Sequence, residues 1–137
     1  MITGYIVFAH GSSVESANEA VRSAAGAMAR TGNYEFVEAA FLGGGEPDLA
    51  GAAGRLVQRG VTRAVVIPYF LTLGLHLQRD LPKLVQAVRE QYPGLEMDVT
   101  PPLDGHPGMI DALLGRAREA SSREATAPGL AEPEVRK

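Results

Sequence analysis

The sequence has no cysteine, which excludes disulfides, thiolate-bound metal and an iron–sulfur cluster held by this chain, and suits a reducing compartment. It has no run of lysine or arginine. Its 13 basic and 16 acidic residues are mixed along 137 positions, for a net charge of −3. Nothing there could track a phosphate backbone, which argues against nucleic acid as a partner. No apolar stretch approaches the ~20 residues that span a bilayer, which argues against a membrane. The first nine residues are apolar, but they lack a basic leader and a small-residue cleavage site, so they read as a strand and the protein is expected in the cytoplasm. The G-x-G-x-x-G, G-x-x-x-x-G-K-[ST] and G-x-S-x-G spacings are also missing, which weakens the nucleotide-binding and serine-hydrolase readings.

What is present is ordinary globular material, with 45% apolar and 21% charged residues. At this length one core is expected, burying roughly two-thirds of the unfolded surface. Tyr5 to Ala9 is a continuous apolar run that stops at His10-Gly11-Ser12-Ser13, as a strand buried on both faces does. Ser12 and Glu15 have capping-box spacing, and Ala17, Val21, Ala24, Ala25 and Met28 recur at helical period until Thr31-Gly32-Asn33. Phe36 to Leu42 predicts a second strand, followed by the loop Gly43 to Asp48 and a helix carrying Leu49, Ala53, Leu56 and Val57. Ala64 to Ile67, apolar and β-branched, predicts a central strand that leaves the sheet at Pro68. A loop through Leu73-Gly74-Leu75-His76 then precedes a helix with Asp80 as cap, Pro82 in its first turn and a stripe of Leu81, Leu84, Val85 and Val88. Leu95 to Val99 predicts a fourth strand. Met109, Ile110, Leu113 and Leu114 predict the inner face of a last helix, and residues 121–137, without apolar period, a disordered polar tail.

Alternating strands and helices imply an α/β fold: a four-stranded parallel sheet with helices on both faces, a three-layer sandwich over residues 1–120. Ligands of such sheets bind outside the carboxyl ends of the strands. All three histidines, His10, His76 and His106, fall in loops predicted at that end. If strands one and three are neighbours, His10 and His76 can face one cleft, and neutral imidazole binds Co²⁺, Ni²⁺, Fe²⁺ and Zn²⁺. Each histidine could instead serve only its own loop. Glu46 is a third ligand, a proton acceptor or a solvated carboxylate. Asp80 is a cap or a ligand, and His106 a loop contact. Ser12 caps a helix or meets substrate. Gly43 and Gly44 form a flexible turn or admit a flat ligand, and Gly11 and Gly74 would let a ligand approach the backbone.

Five segments follow in order: His10-Gly11-Ser12; Phe41-Leu42 with Glu46-Pro47; Ile67-Pro68-Tyr69-Phe70-Leu71; Gly74-Leu75-His76 with Asp80-Leu81-Pro82; and Pro102-Leu103-Asp104-Gly105-His106-Pro107. Together, from residue 1 to about 120, they resemble the small single-domain sirohydrochlorin chelatases of the CbiX/SirB type. The resemblance implies a chelatase-like fold and insertion of a divalent metal substrate, Co²⁺ first, Fe²⁺ or Ni²⁺ next, into sirohydrochlorin. It implies a place in cobalamin or siroheme-type tetrapyrrole synthesis, no organic cofactor, and a homodimer. It makes His10 and His76 the catalytic metal ligands. Where many members carry an acidic residue after the Phe-Leu pair, this chain has Gly43, so that Glu46 or water substitutes or the site keeps two histidines. The histidine-rich insertion of some nickel-handling members is absent.

Two imidazoles suit metal insertion, since they hold a cation without enclosing it and can accept the pyrrole protons. The ring carboxylates would meet the helix start after Ser12, aided by Arg79. A non-catalytic carrier of metal or tetrapyrrole on the same fold is the second reading, which Gly43 encourages.

Overall fold

The computed structural model describes residues 1–123. The elements are β1 (Thr3–Ala9), α1 (Glu15–Gly32), β2 (Val37–Phe41), α2 (Leu49–Gln58), β3 (Arg63–Pro68), α3 (Leu75–Gln91), β4 (Glu96–Val99) and α4 (Pro107–Arg123). Two compact units result: one, Met1–Asp104, carries the sheet with α1 to α3, and the other, from Gly105, carries α4. The four strands are parallel in the order β2-β1-β3-β4. β1 and β3 are therefore neighbours, paired from Thr3 with Arg63 to Phe8 with Pro68.

The unbroken apolar run of β1 is explained by cores on both faces. Ile6 and Phe8 point into the larger one, with Ala40, Val66 and the buried sides of α2 and α3. Val7 and Ala9 point the other way and pack with Ala39, Phe41 and Ala25 under α1. Each large side chain withdrawn from water here contributes about 1.5–3 kcal/mol. α1 ends where the Thr31-Gly32-Asn33 signal lies: Asn33 turns left-handed at φ 57°, and its N–H returns to the carbonyls of Ala29 and Arg30.

Two helix starts differ from the sequence expectation. α1 is capped at Val14 without a side-chain bond, and Ser12 lies upstream of it, its hydroxyl accepting from the Val14 N–H at 2.9 Å in a local turn. The backbone N–H and C=O of Ser12 are both taken by Asn18, so Ser12 cannot enter the helix as its cap. α3 starts at Leu75, with Gly74 as N-cap, which puts Asp80 and Pro82 inside the helix. Leu77, buried one turn before Leu81, extends the apolar stripe upstream and accounts for the longer helix.

α4 carries Ile110, Leu113 and Leu114 on one apolar stripe, as the period predicts. Periodicity marks the stripe but does not specify what covers it. α4 also takes in residues 121–123 of the expected tail; residues 124–137 lie outside the described part of the chain.

Candidate functional site

The carboxyl ends of β1, β2 and β3 lie side by side, and the chain is stitched there by backbone bonds. The N–H groups of Leu42 and Gly43 donate to the carbonyls of Ala9 and His10, both at 2.9 Å, and Tyr69 N–H donates to Phe8 C=O at 2.7 Å. His10 is the first residue beyond β1. Its exposed ring stands edge-on to Phe70, with centroids 4.7 Å apart, and among the described residues its ring nitrogens make no hydrogen bond.

Two glycines make the close approach of these loops possible. Gly11 has φ +86°, and a Cβ there would come 1.7 Å from the Gly43 carbonyl oxygen, so no other residue fits. Gly44 has φ +71° and lies against the Ser12 backbone. Gly43 itself is unconstrained: its φ is not positive, and a Cβ there would meet nothing within 4 Å. A side chain at position 43, whose backbone is bonded to that of His10, would enter open space at no steric cost.

Sequence reasoning missed the residue that ties these loops together. Asn18, 1% exposed on α1, accepts from Ser12 N–H through Oδ1 at 2.9 Å and donates through Nδ2 to Ser12 C=O and Gly44 C=O, both at 2.9 Å. An amide buried this deeply must satisfy both its ends, and these partners do so. The only available signal was an asparagine at a core-facing helix position beside Val21 and Ala25, where an apolar residue belongs.

His76 lies in the first turn of α3, not in a loop, and is exposed. Its Nδ1 is 3.0 Å from the Nη2 of Arg79, one turn along the same helix. No side chain caps this helix start, so free N–H groups and the helix dipole favour an anion near His76 and Arg79. Gly74, at φ −68°, is in a backbone region open to any residue, and a Cβ there would meet open space.

The loops after β2 and β3, and the start of α3, expose apolar side chains that the sequence motifs contain but whose exposure the sequence does not give. They are Leu42 after β2, Tyr69 and Leu71 after β3, and Leu75 at the start of α3, the last two 65% and 76% exposed. Such residues normally avoid water, and several in adjoining loops mark a binding surface. This surface is open: the two apolar grooves along α3, one reaching Phe8, Phe41 and Leu42 and the other Leu73 and Val99, include neither histidine.

Glu46 borders a polar groove with Arg22, Glu38 and Arg55, and its backbone carbonyl accepts from Arg22; among the described residues no three His, Asp or Glu side chains are grouped to hold a metal. His106 belongs to the α4 unit, where its Nδ1 accepts from Gly108 N–H at 2.9 Å.

A profile of the CbiX family matches residues 4–120. The chain belongs to the CbiX family. CbiX relatives include the sirohydrochlorin cobaltochelatase of Sulfolobus acidocaldarius, 29% identical over 123 residues that cover 90% of this chain and 96% of that protein. The chloroplastic sirohydrochlorin ferrochelatase of Arabidopsis thaliana is 29% identical over 87% of this chain, which spans only 53% of that protein. Among solved structures, a protein of Marinobacter aquaeolei VT8 assigned to CbiX and cobalamin biosynthesis superposes with a TM-score of 0.80 at 26% identity, covering 88% of this chain and 98% of that one. The fold is shared with SirB of Bacillus subtilis, solved with Fe³⁺: TM-score 0.78, 22% identity, over 87% of this chain and 47% of that one. No described helix is long and apolar enough to cross a membrane.

Proposed function

We propose that this CbiX protein is a sirohydrochlorin chelatase that inserts a divalent metal, Co²⁺ in the first place with Fe²⁺ or Ni²⁺ as the alternatives, in cobalamin or siroheme-type synthesis. The observation that carries this reading is the exposed His10 at the end of β1 and the exposed His76 in the first turn of α3, the helix that follows the neighbouring strand β3, together with exposed Leu42, Tyr69, Leu71 and Leu75. A flat apolar macrocycle with a carboxylate rim matches both parts of that surface: the leucines and tyrosine take its face, and Arg79 with the start of α3 takes its rim.

Insertion exchanges the ligands of the ion for four ring nitrogens and releases two pyrrole protons. His10, whose ring nitrogens are unpaired, and His76 hold the ion between them. As the ring nitrogens displace them, each imidazole is left with a lone pair that accepts a pyrrole proton. Glu46 is outside this set, so water completes the coordination of the ion. Chemistry of this kind calls for no organic cofactor.

The working form is a homodimer in the cytoplasm. An open surface covers one face of a macrocycle only, and the stripe of α4 is apolar area that a second copy can bury. The functional unit is residues 1–120, with the following tail dispensable.

The test is anaerobic incubation of sirohydrochlorin with Co²⁺, Fe²⁺ or Ni²⁺, with and without protein, followed by absorption. Metallation faster than the uncatalysed rate is the expected result. Confirmed binding of sirohydrochlorin without acceleration for any of the three ions would establish the carrier instead.

A further inference from the structure

The two histidines differ in one respect that bears on when metal can bind. The ring nitrogens of His10 have no hydrogen-bond partner among the described residues, whereas Nδ1 of His76 is 3.0 Å from Arg79 Nη2. A guanidinium has only donors. Nδ1 is therefore the acceptor, and in the neutral ring Nε2 carries the proton. Both nitrogens are thus closed to a cation, one by a hydrogen bond and the other by its own hydrogen, and the guanidinium charge is one turn away. Arg79 is exposed and forms no ion pair among the described residues, so nothing else holds it in place.

We infer that Arg79 is a positioning residue that masks His76 until a carboxylate of the incoming macrocycle draws the guanidinium away. A charge-assisted bidentate bond to carboxylate is stronger than a single bond to imidazole, so ring binding releases Nδ1. The second metal ligand then becomes available only when the acceptor of the metal is already in place. A free protein with both histidines open would instead retain the ion tightly and give it up slowly. The inference rests on the functional reading above for the identity of ligand and macrocycle.

The test begins with metal alone. Co²⁺ is titrated calorimetrically into the wild type, Arg79→Met, His76→Ala and the double variant. Arg79→Met is expected to bind Co²⁺ about five-fold more tightly, the factor set by one hydrogen bond of ordinary net worth, and to have no effect in the His76→Ala background. Unchanged affinity, or equal tightening without His76, would overturn the mask, the latter showing only long-range charge repulsion. The second readout is the ¹⁵N resonance of His76 Nδ1. Metal-free sirohydrochlorin should move it in the wild type toward its position in Arg79→Met, and a resonance that stays put on confirmed binding would overturn the release step. Turnover is scored separately: a chelatase whose Co²⁺ affinity ignores Arg79 lacks the mask, and a protein without turnover that shows both signatures keeps the mask and loses the chelatase reading.

Discussion

At position 43 the space for a side chain is present and the side chain is not. Many family members carry an acidic residue after the Phe-Leu pair; here Gly43 N–H bonds to the carbonyl of His10, and the direction of a Cβ is empty. Gly43→Glu should therefore fold normally and add a carboxylate beside His10. Its Co²⁺ affinity, read by calorimetry, is expected to rise about ten-fold or more, as a third, anionic ligand joins two neutral ones. Turnover should rise only if delivery of the metal to the site, not its release into the ring, limits the rate. An unchanged affinity would show that the ion does not sit at His10. The place of His10 and Gly11 just beyond β1 was legible in the sequence, because the apolar run stops at Ala9; that Gly11 makes room for the Gly43 carbonyl and not for a ligand was not. Asn18 and the exposed leucines were not. Burial and exposure belong to the packed chain, and a single asparagine in an amphipathic pattern looks like any other departure from it.

At the level of elements, α1 supports the site through two side chains. Asn18 clamps the His10–Ser12 turn to Gly44, and Arg22 donates to the Glu46 carbonyl at 3.2 Å while standing over the Phe41 ring. Asn18→Ala removes three hydrogen bonds to the half-buried Ser12 and exposed Gly44 backbone and should cost about 1–3 kcal/mol in denaturant unfolding. It should also weaken Co²⁺ binding, and a variant of unchanged stability would contradict the clamp. Hydrogen bonds from Arg22 and then Asn18, with the charge of Arg22, hold the Glu15 carboxyl below its ordinary range. A carboxyl lowered in the folded state adds stability above its unfolded range and loses it as pH falls through the lowered folded value. In an NMR titration, Arg22→Ala should return Glu15 toward the usual glutamate range; a titration that does not move would show that the pair is not formed. The order of elements could be read from the alternation of apolar runs, but the starts of α1 and α3 were misplaced, each for its own reason. Ser12 and Asp80 are good caps by residue type, yet Ser12 is engaged by Asn18, and the buried Leu77 draws α3 back to Gly74.

For the whole molecule, the remaining question is what completes an open surface. The α4 unit carries Ile110, Leu113 and Leu114 on one stripe, a pattern that the apolar period predicts. In light scattering after gel filtration the protein should have the mass of two chains. Leu113→Glu should shift it toward one, with a loss of about 2 kcal/mol or roughly thirty-fold in Kd if Leu113 is central to the contact. A wild-type monomer at micromolar concentration would remove the dimer from the account.

The central claim is that two imidazoles, His10 after β1 and His76 at the start of α3, transfer a metal ion into the ring. Its most direct test is the initial rate of cobalt–sirohydrochlorin formation, followed anaerobically by absorption, for the wild type, His10→Ala and His76→Ala. Both side chains are exposed, so the variants should keep the wild-type unfolding midpoint. Each should fall about 100-fold or more toward the uncatalysed rate, the lower range for loss of a positioned proton acceptor. Wild-type catalysis that survives the loss of either histidine would contradict the claim.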